Sequence, residues 1–166
     1  MKFENAVRVM AGIVALLMIA PPSAVALQKQ QPTTQILKRP AAAKKAHRLV
    51  LQVNTNEPAM MNLALNNATN VAQYYKDLGE KVTIEVVTFG PGLHMLRDDT
   101  SPVKARIKAI KESTPAISFK ACGNTQENMH KAENKDIPLI PEATVVKSGV
   151  VRVMELQEQG WTYVKP

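Results

Sequence analysis

One side chain in this sequence is a strong sulfur nucleophile, and it occurs once, at Cys122. It ends the run Ala116-Ile117-Ser118-Phe119-Lys120-Ala121, which has the composition of a short buried strand, and Gly123 then turns the chain towards a new helix. In α/β proteins the carboxyl end of a strand at the start of a helix is where ligands and reactive groups gather, because free backbone N–H groups face a crevice there. A thiol at that point also feels the positive end of the helix dipole, which favours the thiolate over the thiol. The chemistry that this position offers is attack by sulfur. A free cysteine is equally at home as a small buried hydrophobe, so position alone leaves a reactive and a packing role open.

Other candidates are fewer and weaker. The turn Gly90-Pro91-Gly92, with His94 close behind, stands at the same expected sheet edge, and two glycines let backbone approach an anion. Met95 occupies the place where a dinucleotide fingerprint needs its third glycine, so no nucleotide cofactor is implied. His47, His94 and His130 are too far apart in sequence to form a metal-ligand spacing, and no metal site is expected. Nothing has the pattern of a serine nucleophile elbow, a zinc-protease helix or a two-cysteine redox motif. The candidate site is therefore Cys122 with Gly90, Pro91, Gly92, His94 and Asn124 as pocket-forming neighbours.

Alternating strand and helix signals must position these residues. Arg48 to Asn54 is a nearly continuous apolar run, the mark of a strand covered on both faces. Asn54 to Pro58 carries capping residues and a proline fit for a first helical turn. A helix follows with Met61, Leu65, Ala68, Val71 or Ala72, Tyr75 and Leu78 on one side, closed by Gly79. Val82 to Phe89 is a second strand rich in β-branched residues. Ser101-Pro102 reads as an N-cap with proline in the first turn, opening a helix with Val103, Ile107 and Ile110 inward and a solvated basic face of Lys104, Arg106, Lys108 and Lys111. After Cys122, Asn124 and Glu127 have the spacing of a capping box. Ile137 to Pro141 links to a short strand at Ala143 to Val146. Ser148 starts a last helix, with Val150, Val153, Met154 and Gln157 on one side, and Trp161 to Val164 forms the last strand. The expected fold is a doubly wound α/β domain, a mainly parallel five-stranded sheet with helices on both faces.

The 166 residues, 45% of them hydrophobic, suffice for one such domain and an appendage. Lys2 and Arg8, an apolar run from Val9 to Ala20, Pro21-Pro22 and the small-x-small triplet Ala24-Val25-Ala26 make residues 1–26 a secretory signal peptide. The run is too short for a membrane span. Its removal takes away two cations and one anion, moving the formal charge from +7 to +6. Export to the periplasm follows, an oxidising compartment in which a lone cysteine has no internal disulfide partner, so Cys122 is buried and inert, paired between chains or chemically active. Residues 27–46 read as a flexible segment and 47–166 as the folded domain. A sequence pI near 9.6 would suit nucleic acid. The basic residues are scattered, however, and aromatics make up only 4%, so the stacking platforms of a nucleic-acid groove are absent and no such partner is expected.

Taken in order, the Asn54/Asn56 loop, the long first helix, Val87-Thr88-Phe89-Gly90-Pro91-Gly92, the strand ending Ala121-Cys122-Gly123-Asn124-Thr125 and the closing Ser148 to Tyr163 segment resemble the DsrE/DsrF-like (YchN-like) proteins. The resemblance spans His47 to the end. It implies a homo-oligomer, trimer or hexamer. It also implies that Cys122, at the position of the sulfur-relay cysteine, carries sulfane sulfur as a persulfide between donor and acceptor proteins. The alternative is a non-catalytic module of the periplasm that binds a small anion or another protein.

Overall fold

A computed structural model describes residues 46–166. The signal-peptide reading of residues 1–26 and nearly all of the segment 27–46 lie outside the described residues. The described chain runs β1 (Ala46–Val53), α1 (Pro58–Asp77), β2 (Lys81–Thr88), a 3-10 helix (Gly90–Leu96), α2 (Lys104–Ser113), β3 (Ile117–Cys122), α3 (Gly123–Glu133), β4 (Ala143–Val146), α4 (Gly149–Glu158) and β5 (Thr162–Val164). The five strands form one sheet in the order β4-β3-β2-β1-β5, and every pairing is parallel. The fold is the doubly wound α/β architecture expected of the sequence.

Strand order explains which helix covers which face. The chain steps from β1 to β2, β3 and β4 in one direction, then crosses the whole sheet to place β5 beyond β1. Crossovers of one hand in opposite directions land on opposite faces, so the last helix is separated from the others. Leu49, Leu51, Ile84, Val86, Ile117 and Phe119 meet Met61, Leu65 and Ile107 in the main core, with Met129 of α3 packed partly against it. Val50 and Val87 point the other way and meet Val153 and Leu156 of α4, with Phe89, Trp161 and Tyr163 around them. On that second face Glu85, only 6% exposed, takes a two-pronged ion pair from Arg152 of α4, at 2.8 and 3.0 Å.

Three local expectations are corrected. Ser101 does not cap α2 and Pro102 does not begin it. The helix starts at Lys104 with Val103 at the N-cap, and the Ser101 hydroxyl donates to the Met95 carbonyl at 2.6 Å. Ser101 thus fastens the chain leaving the 3-10 helix, a task that competes with capping. Asn124 and Glu127 form no capping box, because α3 begins one residue beyond Cys122, which is itself the N-cap. Glu127 pairs instead with Lys131, one turn along the helix. In α4, Val150 and Met154 face solvent at 53% and 55% exposure, while Gly149, Val153 and Leu156 face the sheet. The inward face is thus rotated by about one position, because a glycine, which hydropathy does not score, starts the contact.

Candidate functional site

Cys122 stands where strand alternation and helix start coincide. Ile117, Phe119 and Ala121 are buried in the main core, so Cys122, one step further, turns to the α4 side. There it meets the first residue of α4. A Cβ on Gly149 would come within 3.2 Å of the Cys122 Cβ and 2.8 Å of the Phe89 ring, so only glycine lets α4 approach this closely. The N-termini of α3 and α4 therefore converge on one sulfur atom. The register Cys122↔Val146 extends the pairing of β3 with β4 to the end of both strands, and the Asn124 N–H donates to the Lys147 carbonyl at 3.1 Å, which ties the two helix starts together.

The electrostatics follow from this convergence. Burial pushes the Cys122 thiol up, but the Thr125 hydroxyl and the N–H groups of Gly149, Thr125 and Asn124 face the sulfur and together bring its pKa below the ordinary value. None of these contacts is a full side-chain cap bond. They act as a ring of oriented dipoles, and the sulfur stays free to form a bond elsewhere. The residue is 4% exposed, which restricts what can reach it. Beside it, Asn124, Lys147, Ser148, Val151 and Arg152 line a crevice of about 530 Å³ that opens to solvent. Glu155 lines it as well, and Arg152 is engaged by Glu85, which leaves Lys147 as the cation that an anion would meet there.

The structure joins some of the predicted site residues to Cys122 and separates others. The Gly90 N–H donates to the Thr125 hydroxyl at 3.0 Å, so the glycine turn is linked to the sulfur through Thr125. Having accepted from Gly90, that hydroxyl keeps its proton for the sulfur side. Gly92 is buried, and a Cβ there would lie 2.1 Å from the Val53 carbonyl oxygen, so its smallness serves close packing of the turn on β1. Pro91 sits exposed in the first turn of the 3-10 helix. His94 shares a 2.9 Å hydrogen bond with Thr100 and lines neither the crevice nor the sulfur's ring of dipoles. Asn124 lines the crevice through its side chain's position at the second residue of α3. Sequence reasoning named the Thr125 N–H but passed over the Thr125 hydroxyl and Gly149. Thr125 was legible as a hydroxyl three residues after the cysteine, one helical turn on, whereas Gly149 lies 27 positions away and carried no local signal.

The fold and site together define a class, an all-parallel doubly wound α/β domain with one thiol at a strand end. No family model matches the chain, and no curated protein matches it. Among solved structures, it is similar to a protein of unknown function from Methanobacterium thermoautotrophicum at 28% identity, with a TM-score of 0.61, over 72% of this chain and 99% of the other.

Proposed function

We propose that this is an exported DsrE-like protein that carries sulfane sulfur on Cys122. The observation that carries the reading is the thiol's place at the meeting point of two helix N-termini, with Gly149 of α4 packed against its Cβ. Such a setting favours the thiolate, which is the attacking form in sulfur exchange. In the proposed step the Cys122 thiolate attacks the outer sulfur of a donor R–S–S⁻, such as a persulfide or thiosulfate. The Cys122–S bond forms as the donor S–S bond breaks, R–S⁻ leaves with the electron pair, and Cys122 is left as a persulfide. An acceptor thiolate then attacks the outer sulfur and regenerates the Cys122 thiolate. Both steps conserve electrons, so no external oxidant is needed. Asn124 and Lys147 in the crevice beside the thiol suit the negative charge of donor and leaving group. Gly90 supports the site by orienting Thr125. The reading includes assembly into a trimer or hexamer and a periplasmic location, both of which rest on the sequence.

The test is intact-protein mass after exposure to thiosulfate or a small persulfide, with cyanolysis to remove the added sulfur. Gain of one sulfur by the wild type, its removal by cyanide and its absence in Cys122→Ser support the reading. Equal sulfur uptake by Cys122→Ser would overturn it. The burial of Cys122 favours a second reading, in which the thiol only packs and the cationic crevice holds an anion or a protein partner. Anion binding that survives Cys122→Ser but weakens in Lys147→Ala, with no thiol reactivity in the folded protein, would decide for it.

A further inference from the structure

The β1/β5 edge of the sheet is covered by a helix on one face only. β5 lies beyond β1, and α4, which leads into it, packs on the opposite face, so among the described residues no helix covers β5 on the α1 side. A groove of about 550 Å³ occupies that place. Its floor is apolar, made by Leu49 and Leu51 of β1, Val164 of β5 and Val71 of α1. One end is an aromatic wall. His47 stacks on Tyr75 at 3.7 Å and is held by Glu80 at 2.6 Å, and Tyr74 meets the Tyr75 ring edge-on. A concave site of this size, apolar with a few placed polar groups, is suited to a small molecule.

The polar groups of the groove identify the kind of molecule. Arg48 lines it, and no Asp, Glu or Lys does. A Cβ on Gly160 would lie 3.9 Å from the Arg48 Nη2, so the guanidinium reaches the turn that leads into β5, at the end where His47 stands. The domain's other arginines are engaged: Arg97 by Asp99 and Glu133, Arg106 by Asn62 and Asn66, Arg152 by Glu85. Arg48 alone of the four has no hydrogen bond or ion pair among the described residues. The side chains of Asn67, Asn70 and Thr162, which also line the groove, are likewise uncommitted among the described residues. An apolar floor rewards a hydrocarbon or aryl body by releasing water from both surfaces. A guanidinium offers a carboxylate two parallel N–H donors, and the amides and hydroxyl offer lesser contacts that orient the body. A cationic head would be repelled by Arg48, and an uncharged one would leave its charge unused.

We propose that this groove binds an apolar monocarboxylate, its body on Leu49, Leu51, Val71 and Val164 and its carboxylate on Arg48. The inference uses no residue of the Cys122 site and stands or falls separately from it. The probes are 4-phenylbutyrate, 4-phenylbutanol and 4-phenylbutylamine, which share one body and differ in the head, titrated against the purified protein by ligand-observed NMR. The carboxylate should bind about three- to tenfold more tightly than the alcohol, and the amine should bind most weakly. Arg48→Gln should bring the carboxylate to the level of the alcohol and leave the alcohol unchanged. Val164→Asp, which puts a charge on the floor, should weaken carboxylate and alcohol alike, with circular dichroism as the check on folding. Should that variant fail to fold, Tyr74→Ala serves in its place, since Tyr74 is 60% exposed and its ring belongs to the end wall. Lys147→Ala, in the crevice beside Cys122, should change nothing. Equal affinity for carboxylate and amine, indifference to Arg48→Gln, loss of binding in Lys147→Ala, or no binding of any of the three probes would overturn the proposal.

Discussion

The two faces of the sheet differ in thickness and in what they hold. The face under α1 and α2 buries a contiguous core of twenty residues, whereas the other face buries four residues under α4 alone. The thick face is apolar through its centre, with the charged cluster of Arg97 at its edge. The thin one includes Glu85 with Arg152, the Tyr163 hydroxyl on Gln52 at 2.9 Å, and Cys122. A face held by one short helix leaves polar groups near water and strand ends open, so reactive chemistry finds room there that a close-packed core denies it. Stability and chemistry are thus divided between the two sides of one sheet.

The comparison breaks first at the thiol itself. Replacing Cys122 by serine should abolish sulfur loading completely while leaving the melting temperature within a few degrees, because the change in volume is small and the thin face contributes little. Core truncation on the two sides comes next. Phe119→Ala, in the thick core and fully buried, should cost about 3–5 kcal/mol. Leu156→Ala on the thin face should cost about 2 kcal/mol, near the low end for such a change, since a lone helix can settle into the space. Urea unfolding of both variants measures the difference, and equal losses would show that the faces share the load.

Smaller effects sharpen the picture. Gly149→Ala forces a methyl group against Phe89 and Cys122 and should destabilise by about 1–3 kcal/mol while pushing the start of α4 away from the sulfur. Thr125→Val removes a polar hydrogen facing the thiolate. The pH midpoint for alkylation of Cys122, below the roughly 8.5 of a free cysteine in the wild type, should move upward in this variant. Acid should act on the thick side. There Arg97, 1% exposed, is held by Asp99 and Glu133 and pins the end of the 3-10 helix to the end of α3. Its hydrogen bonds hold Asp99 well below the carboxylate range and bring Glu133 to about 2. Lowered folded values mean that this stabilisation is complete above the unfolded carboxylate values of roughly 4 and is lost as pH falls towards 2. A pH scan of thermal unfolding should be flat from neutral down to about 4 and drop below it, and Glu133→Gln should lessen the drop.

Much of this division was legible in the residues, though unevenly. The apolar runs at Leu49 to Val53 and Val82 to Val87, and the three- and four-residue steps of α1, announced their elements because burial on a sheet or under a helix leaves a period in the chain. Helix starts were less legible. Ser101 and Asn124 had the chemistry of caps, yet Ser101 was claimed by the Met95 carbonyl and the start of α3 was set two residues earlier by the end of the paired strand. A capping preference of about 1 kcal/mol does not outweigh a strand register. The inward side of α4 was misread for a related cause, since Gly149 makes the closest contact and has no side chain to reveal it.

By itself the sequence determined that the chain would form a parallel α/β sheet and that its single thiol would end the third strand, because both depend on local composition and on period. Only the tertiary structure decided the sulfur's surroundings. Gly149 and Gly90 reach it from positions 27 and 32 residues away, brought there by the pairing of β4 with β3 and by a hydrogen bond through Thr125. Contacts of that kind depend on strand order, and strand order is settled by how layers pack rather than by any stretch of chain read alone.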